Sequence, residues 1–234
     1  MLGDVLERCV AKSPISVMVR ASLERVLGAD RLDRWYERTA QKPYTRELLF
    51  SSVSALMNHG VFCVHPSVRA ASRAHQDDVA TSRVSVYSTL HGLETHTSAA
   101  LVRSSARAFA PLIEHMGGEH APWREGYRVK IVDGHCLEAS EPRVQALRAA
   151  TGRALPGKSL VVYEPAPGLV TDVLPCEDGH AQERSLCGPL LKTVEAGELW
   201  IEDRNFCTRN FLGDIDNRGA FFVSRQPQGL PCEI

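Results

Sequence analysis

A chain of 234 residues, 44% hydrophobic and 24% charged, is long enough for one large or two small domains and has the balance of an ordinary soluble globular protein. Its formal net charge of −1 gives no composition-level sign of a polyanion partner, and no apolar run is long enough to span a bilayer. The seven cysteines are odd in number, scattered and free of any CxxC pair, which argues against a zinc ribbon or a disulfide framework. Asp4, Glu7 and Arg8 interrupt any signal-peptide core, so a cytoplasmic protein is expected. The halves differ slightly. Residues 1–127 hold 15 Lys/Arg against 13 Asp/Glu, and residues 128–234 hold 12 against 15.

Residues 14–116 read as helices broken by short turns. Pro14 opens a segment that Gly28 stops, and a short charged helix follows from Asp30 to Arg38. A further helix is expected after Pro43-Tyr44-Thr45, with Thr45 as N-cap and Asn58-His59-Gly60 as its end. Pro66 and Ser82 begin two more. The strongest apolar periodicity comes last: Val102, Ala106, Phe109, Ile113 and Met116 share one face before Gly117-Gly118. Arg20, Arg25, Arg31, Arg34, Arg69, Arg73, Arg103 and Arg107 can present positive charge to phosphate, or can be solvated surface charge among interleaved acids. The segment 117–122 is the best linker, dividing a helical region, 1–120, from a second domain, 121–234.

Beyond the linker the period changes. Arg128–Asp133 is a strand ending in Asp-Gly, and residues 134–158 are irregular with a short helix expected from Pro142 to Ala150. Ser159–Tyr163 and Leu169–Leu174 are strands joined by the turn Pro165–Gly168, hence antiparallel neighbours. A helix is expected over Ser185–Ala196. Gly197–Phe206 then reads as a short buried strand that carries Asp203 out of a sheet edge into solvent. A helix over Thr208–Arg218, stopped by Gly219, and a strand over Ala220–Arg225 complete the pattern.

The fold class is α/β, α+β overall, with a helical N-terminal region and a mixed sheet in the order β-β-β-α-β-α-β. That order is the layout of the RNase H-like fold, in which the first and fourth strands lie side by side. Asp133 and Asp203 would then reach the same edge. Two carboxylates there suit Mg²⁺, which takes few protein oxygens and leaves positions for water and phosphate.

Four stretches in order carry a resemblance: Asp133-Gly134, Leu155–Tyr163, Glu177–Leu186 and Gly197–Thr208. Together they resemble insertion-sequence DDE transposases, specifically the insertion-sequence-four family, well over residues 84–225 and more loosely before them. The resemblance implies cut-and-paste DNA transposition, with strand nicking, hairpin formation and strand transfer at element ends. It further implies a homodimer on double-stranded DNA, engaging terminal inverted repeats and target DNA. Asp133 and Asp203 take the places of the first two catalytic acids, which would bind two Mg²⁺ ions, for which Mn²⁺ substitutes. The family's third acid is a glutamate within a Tyr/Arg/Glu/Lys signature. The 31 residues after Asp203 hold Asp214, Asp216 and Glu233 but no such signature, so the chain reads as cut off before the third acid.

The other named residues have two readings each. Asp133 and Asp203 can instead be strand-end acids that cap turns. Arg204 and Asn205 can contact phosphate or a base, or can fix their loop by local hydrogen bonds. Lys158 can reach the DNA backbone or remain solvated. Asp178-Gly179-His180 reads as a turn, His135 has no evident partner, and Trp200 reads as core. The rivals to an active transposase are a non-catalytic DNA-binding regulatory fragment and an inert remnant with exposed apolar surface.

Overall fold

Proline at a helix's first turn and glycine just past its end are the cheapest boundaries a chain can encode. Pro14 and Gly28 make them here, around α2 (Pro14–Leu27). The structure is a computed structural model that describes residues 2–41, 48–75, 83–137, 157–176 and 182–226. Its contacts divide the chain into two compact units, Met1–Thr97 and Ser98–Ile234.

The first unit is helical: α1 (Leu2–Lys12), α2, α3 (Ala29–Thr39), α4 (Phe50–Val61), α5 (Val68–Ala74) and α6 (Arg83–Gly92). No helix was expected over α1. Thr45 and Ser82, read as helix starts, lie outside the described residues. The start of α4 is satisfied from a distance. Leu49 at its N-cap has no acceptor, and Asp33 of α3 supplies one, taking hydrogen bonds from Ser51 N at 2.8 Å and Ser51 Oγ at 2.7 Å. The same junction stacks Tyr36 on Phe50, 4.5 Å between ring centroids. Leu48, Val53, Leu56, Ala71 and Val86 form the core. The end expected at Gly60 moves one residue on, to Val61, because Phe62 N still reaches Asn58 O at 2.9 Å.

The second unit holds α7 (Thr95–His115, its first residues falling at the division), β1 (Arg128–Leu137), β2 (Gly157–Glu164), β3 (Leu169–Cys176), α8 (Cys187–Leu191), β4 (Glu198–Glu202), α9 (Arg209–Asp216) and β5 (Phe221–Ser224). The α/β class is therefore as read. One sheet runs β3-β2-β1-β4-β5. The pairs β1/β2 and β2/β3 are antiparallel, while β1/β4 and β4/β5 are parallel. Helical crossovers make the parallel pairs possible, since a tight turn can only reverse a strand. Val132, Leu160, Val162, Leu174 and Trp200 point to one face, where Leu190, Leu191, Phe206, Phe211 and Ile215 cover them. Phe221, Phe222 and Val223 of the edge strand are exposed.

Three details depart from the sequence reading. The helix read over Ser185–Ala196 is only α8, preceded by a 3-10 turn, Glu183–Leu186. It stops because Thr193 Oγ1 donates to Leu190 O and Glu195 N is drawn off to Glu198 Oε2, with Gly197 turning the chain at φ 82°. The contacts place the division at Thr97/Ser98 rather than near residue 120, so most of α7 belongs with the sheet. Its Arg103 Nε donates to buried Asp172 at 2.8 Å. Of the apolar stripe on α7, only Ala106 is buried, and Met116 is exposed. The segment 142–150, read as a helix, lies outside the described residues.

Candidate metal centre at the sheet edge

The parallel register of β1 and β4 ends at Val132 opposite Glu202. Asp133 and Asp203 are each the next residue. Neighbouring strands lie about 4.8 Å apart, so the register sets the two aspartates side by side, and both are exposed. One expectation changes here. Asp133 does not end its strand: β1 continues to Leu137 because β2 goes on pairing with it, Asp133 opposite Val161. What ends just before Asp133 is the pairing with β4.

Each carboxylate is held by a backbone N–H close by in the chain. Asp133 Oδ1 accepts from Gly134 N at 2.8 Å, and Asp203 Oδ1 accepts from Asn205 N at 2.7 Å. The Asp203 carbonyl also accepts from Phe206 N at 3.2 Å and from Ser224 Oγ at 3.3 Å, which ties the turn to β5. Fixed, exposed, hard oxygen donors fit Mg²⁺ or Mn²⁺ and not a soft metal. Among the described residues, no third His, Cys, Asp or Glu groups with this pair.

Glu202 is the acid the sequence reading passed over. It alternates to the opposite face from Asp203 and is buried, neither oxygen well directed at a donor among the described residues. Burial pushes its carboxyl up to about 8 and the neighbouring Asp203 charge adds to this; the Ser224 hydroxyl pulls the other way. With a folded value above the ordinary 4.5, the native state holds a proton that the unfolded chain releases. Its contribution is thus full below about 4.5 and is lost as pH rises towards 8. In EDTA, wild type should lose up to about 1.4 kcal/mol per pH unit across that window, and Glu202→Gln should lose less. Urea denaturation at several pH values would show it, and parallel slopes for the two proteins would refute it.

Arg204 is exposed in the turn after β4, beside Asp203. Asn205 acts through its backbone: its N–H holds Asp203, and its carbonyl accepts from Arg184 Nε at 2.6 Å. That favours the loop-fixing reading for Asn205. Lys158 is half-buried on β2 opposite Cys136, three positions beyond the Asp133 pair, and engages a neighbour. His135 is exposed opposite Ser159. His180 lies outside the described residues. Several arginines offered for DNA are already occupied: Arg20 by Glu24, Arg31 by Arg25 O, Arg34 by Asp30 O, and Arg103 by Asp172.

Behind the site, a charged network braces β1, β2 and β4. Arg128 grips Glu164 with two hydrogen bonds, 3.0 and 2.7 Å. Lys130 Nζ sits 2.5 Å from Glu198 Oε1 and 5.2 Å from the centre of the Trp200 ring. Glu198 Oε2 accepts from Trp200 Nε1 at 3.0 Å. Lys130 and Glu164 also line a cavity of about 650 Å³ under α7, faced by Arg103, Ala106, Arg107 and Ala110. Its charges pair largely with one another, so we read it as scaffold. No helix among the described residues is long and apolar enough to cross a membrane. Set against known proteins, the chain matches no family model and no curated protein.

Proposed function

We propose that this chain is a DDE-transposase-type protein whose second unit is an RNase H-like catalytic domain. Asp133 and Asp203 are two of its metal-binding acids, and double-stranded DNA is its partner. The observation that carries the reading is the parallel pairing of β1 with β4, which delivers both aspartates to one edge. When bound there, Mg²⁺ or Mn²⁺ would supply an activated water or 3′-hydroxyl and stabilise the leaving oxygen of a phosphodiester. The chain's own residues do the positioning. Gly134 N and Asn205 N orient the carboxylates, Ser224 fixes the Asp203 turn, and Arg204 and Lys158 offer positive charge to phosphate at the same end of the sheet. Action as a homodimer on DNA in the cytoplasm belongs to the same proposal.

A second reading has its own support. The site gathers two acids and no third among the described residues, which favours a DNA-binding regulator that does not cut. One experiment tests both. The chain is incubated with DNA carrying the native flanks of its coding sequence, with Mg²⁺ or with EDTA. The catalytic reading expects binding that weakens steeply with salt and Mg²⁺-dependent nicks that Asp203→Ala abolishes. Binding without nicks supports the regulator. Nicking that survives Asp203→Ala, or no preference for the flanks, removes the assignment.

A further inference from the structure

The first unit carries a cluster that the sheet-edge site does not use. His59 sits in the last turn of α4, His65 in the loop beyond it, and His75 at the C-cap of α5. The chain brings them together by a specific local path. After α4, Cys63 adopts the left-handed region at φ 55°, and Val64 N and His65 N both return to His59 O, at 2.9 and 3.0 Å. This reversal lays the His65 ring parallel to His59, 5.3 Å between centroids and 8° between planes. Ser67 then caps α5, accepting from Ala70 N, and that helix delivers His75 edge-on to both rings, 4.6 and 5.8 Å away.

We propose that His59, His65 and His75 form a binding site for a zinc-class divalent cation, independent of the sheet-edge acids. One ring nitrogen from each residue lies within 4.8 Å of the others. Tetrahedral Zn²⁺ with Zn–N bonds of about 2.05 Å needs nitrogens about 3.4 Å apart, a difference that small side-chain rotations close. Among the described residues, His59 Nδ1 is buried with no hydrogen-bond partner. A buried, unsatisfied nitrogen is costly, and a metal bond to that atom would satisfy it. Three imidazoles without a carboxylate select Zn²⁺ or its neighbours over Mg²⁺, which demands oxygen. Water completes the set. The thiol in the same loop does not, because Cys63 is exposed and turns its Sγ to Val61 O. The ion would clip the end of α4 to the end of α5.

The test uses the whole chain, freed of metal and kept reduced, titrated with Zn²⁺ against a chromophoric chelator. The expected result is one tight site per chain, a rise in melting temperature on loading, and binding weakened by roughly 100-fold or more in His65→Ala and in His75→Gln. That is at or beyond the upper end of what losing only an outer-shell partner costs. Cys63→Ser should bind as wild type does. X-ray absorption on Zn²⁺-loaded wild type, which depends on no variant, should show three imidazole nitrogens and one oxygen. A sulfur in that shell, loss of binding in Cys63→Ser, or equal affinity in wild type and both histidine variants would overturn the assignment.

Discussion

Replacing Glu198 with alanine is expected to cost 3–5 kcal/mol, roughly the worth of a buried ion pair broken from one side, and to leave the second unit at the edge of unfolding. Glu198 is 1% exposed and holds three close partners among the described residues, Lys130 Nζ at 2.5 Å, Trp200 Nε1 at 3.0 Å and the backbone N of Glu195 at 2.9 Å, with Arg128 Nη1 further off at 3.8 Å. Alanine leaves all three without it. Lys130, itself buried, would keep, among the described residues, only Glu164 at 3.9 Å as an ion partner, beside the face of the Trp200 ring. Whole domains are stable by about 5–15 kcal/mol, so this one change removes a large share. Glu198→Gln keeps an acceptor for Trp200 and Glu195 and loses the charge, and should cost less, about 1–3 kcal/mol. The double change Lys130→Met, Glu198→Gln removes both charges and should recover most of the loss. Urea denaturation of the four proteins decides it. A Glu198→Ala variant as stable as Glu198→Gln would show that the network is not what braces β1 against β4.

The second large effect is on metal binding and chemistry rather than stability. Asp203→Asn keeps a carbonyl oxygen for Asn205 N and so should preserve the turn, with a stability change under about 1 kcal/mol. It removes the charge that a divalent ion needs. Metal affinity should fall at least tenfold, about 1.4 kcal/mol, and any Mg²⁺-dependent DNA cleavage should vanish. Asp133→Asn should behave alike, because its Oδ1 is used only by Gly134 N among the described residues. A variant that loses stability and metal together would instead mark the aspartate as a turn cap.

The sheet was legible because its strands announce themselves. Arg128–Val132, rich in β-branched residues, and the apolar run Leu199–Ile201 each lead straight into an acid, and Pro165–Gly168 leaves no room for anything but a reversal. The expected fold layout set β1 beside β4, the strands do pair so, and the positions of Asp133 and Asp203 follow from that register. The α8 region misled because Leu186, Leu190, Leu191 and Val194 have helical spacing, yet the Thr193 hydroxyl donates to Leu190 O and the Glu198 carboxylate accepts from Glu195 N, so side chains compete for the backbone groups that a longer helix would use. The place of α7 was illegible for a different reason. Its obvious stripe is Val102–Met116, while the residues that face the cavity are Arg103, Ala106, Arg107 and Ala110, two of them charged. The alternation that separates Glu202 from Asp203 could have been read from β4 itself, where Glu198, Trp200 and Glu202 share the buried parity. The histidine cluster could not, since residues 59, 65 and 75 follow no motif spacing and meet through a left-handed turn at Cys63.

The central claim is that two aspartates on adjacent parallel strands make one divalent-ion site. Electron paramagnetic resonance of Mn²⁺ titrated into the whole chain tests it most directly, because free and bound Mn²⁺ give different signals. Wild type should hold Mn²⁺ that Mg²⁺ displaces, His65→Ala should hold it equally, and Asp133→Asn and Asp203→Asn should each lose it. Mn²⁺ bound as well by an Asp133→Asn, Asp203→Asn double variant as by wild type would contradict the account.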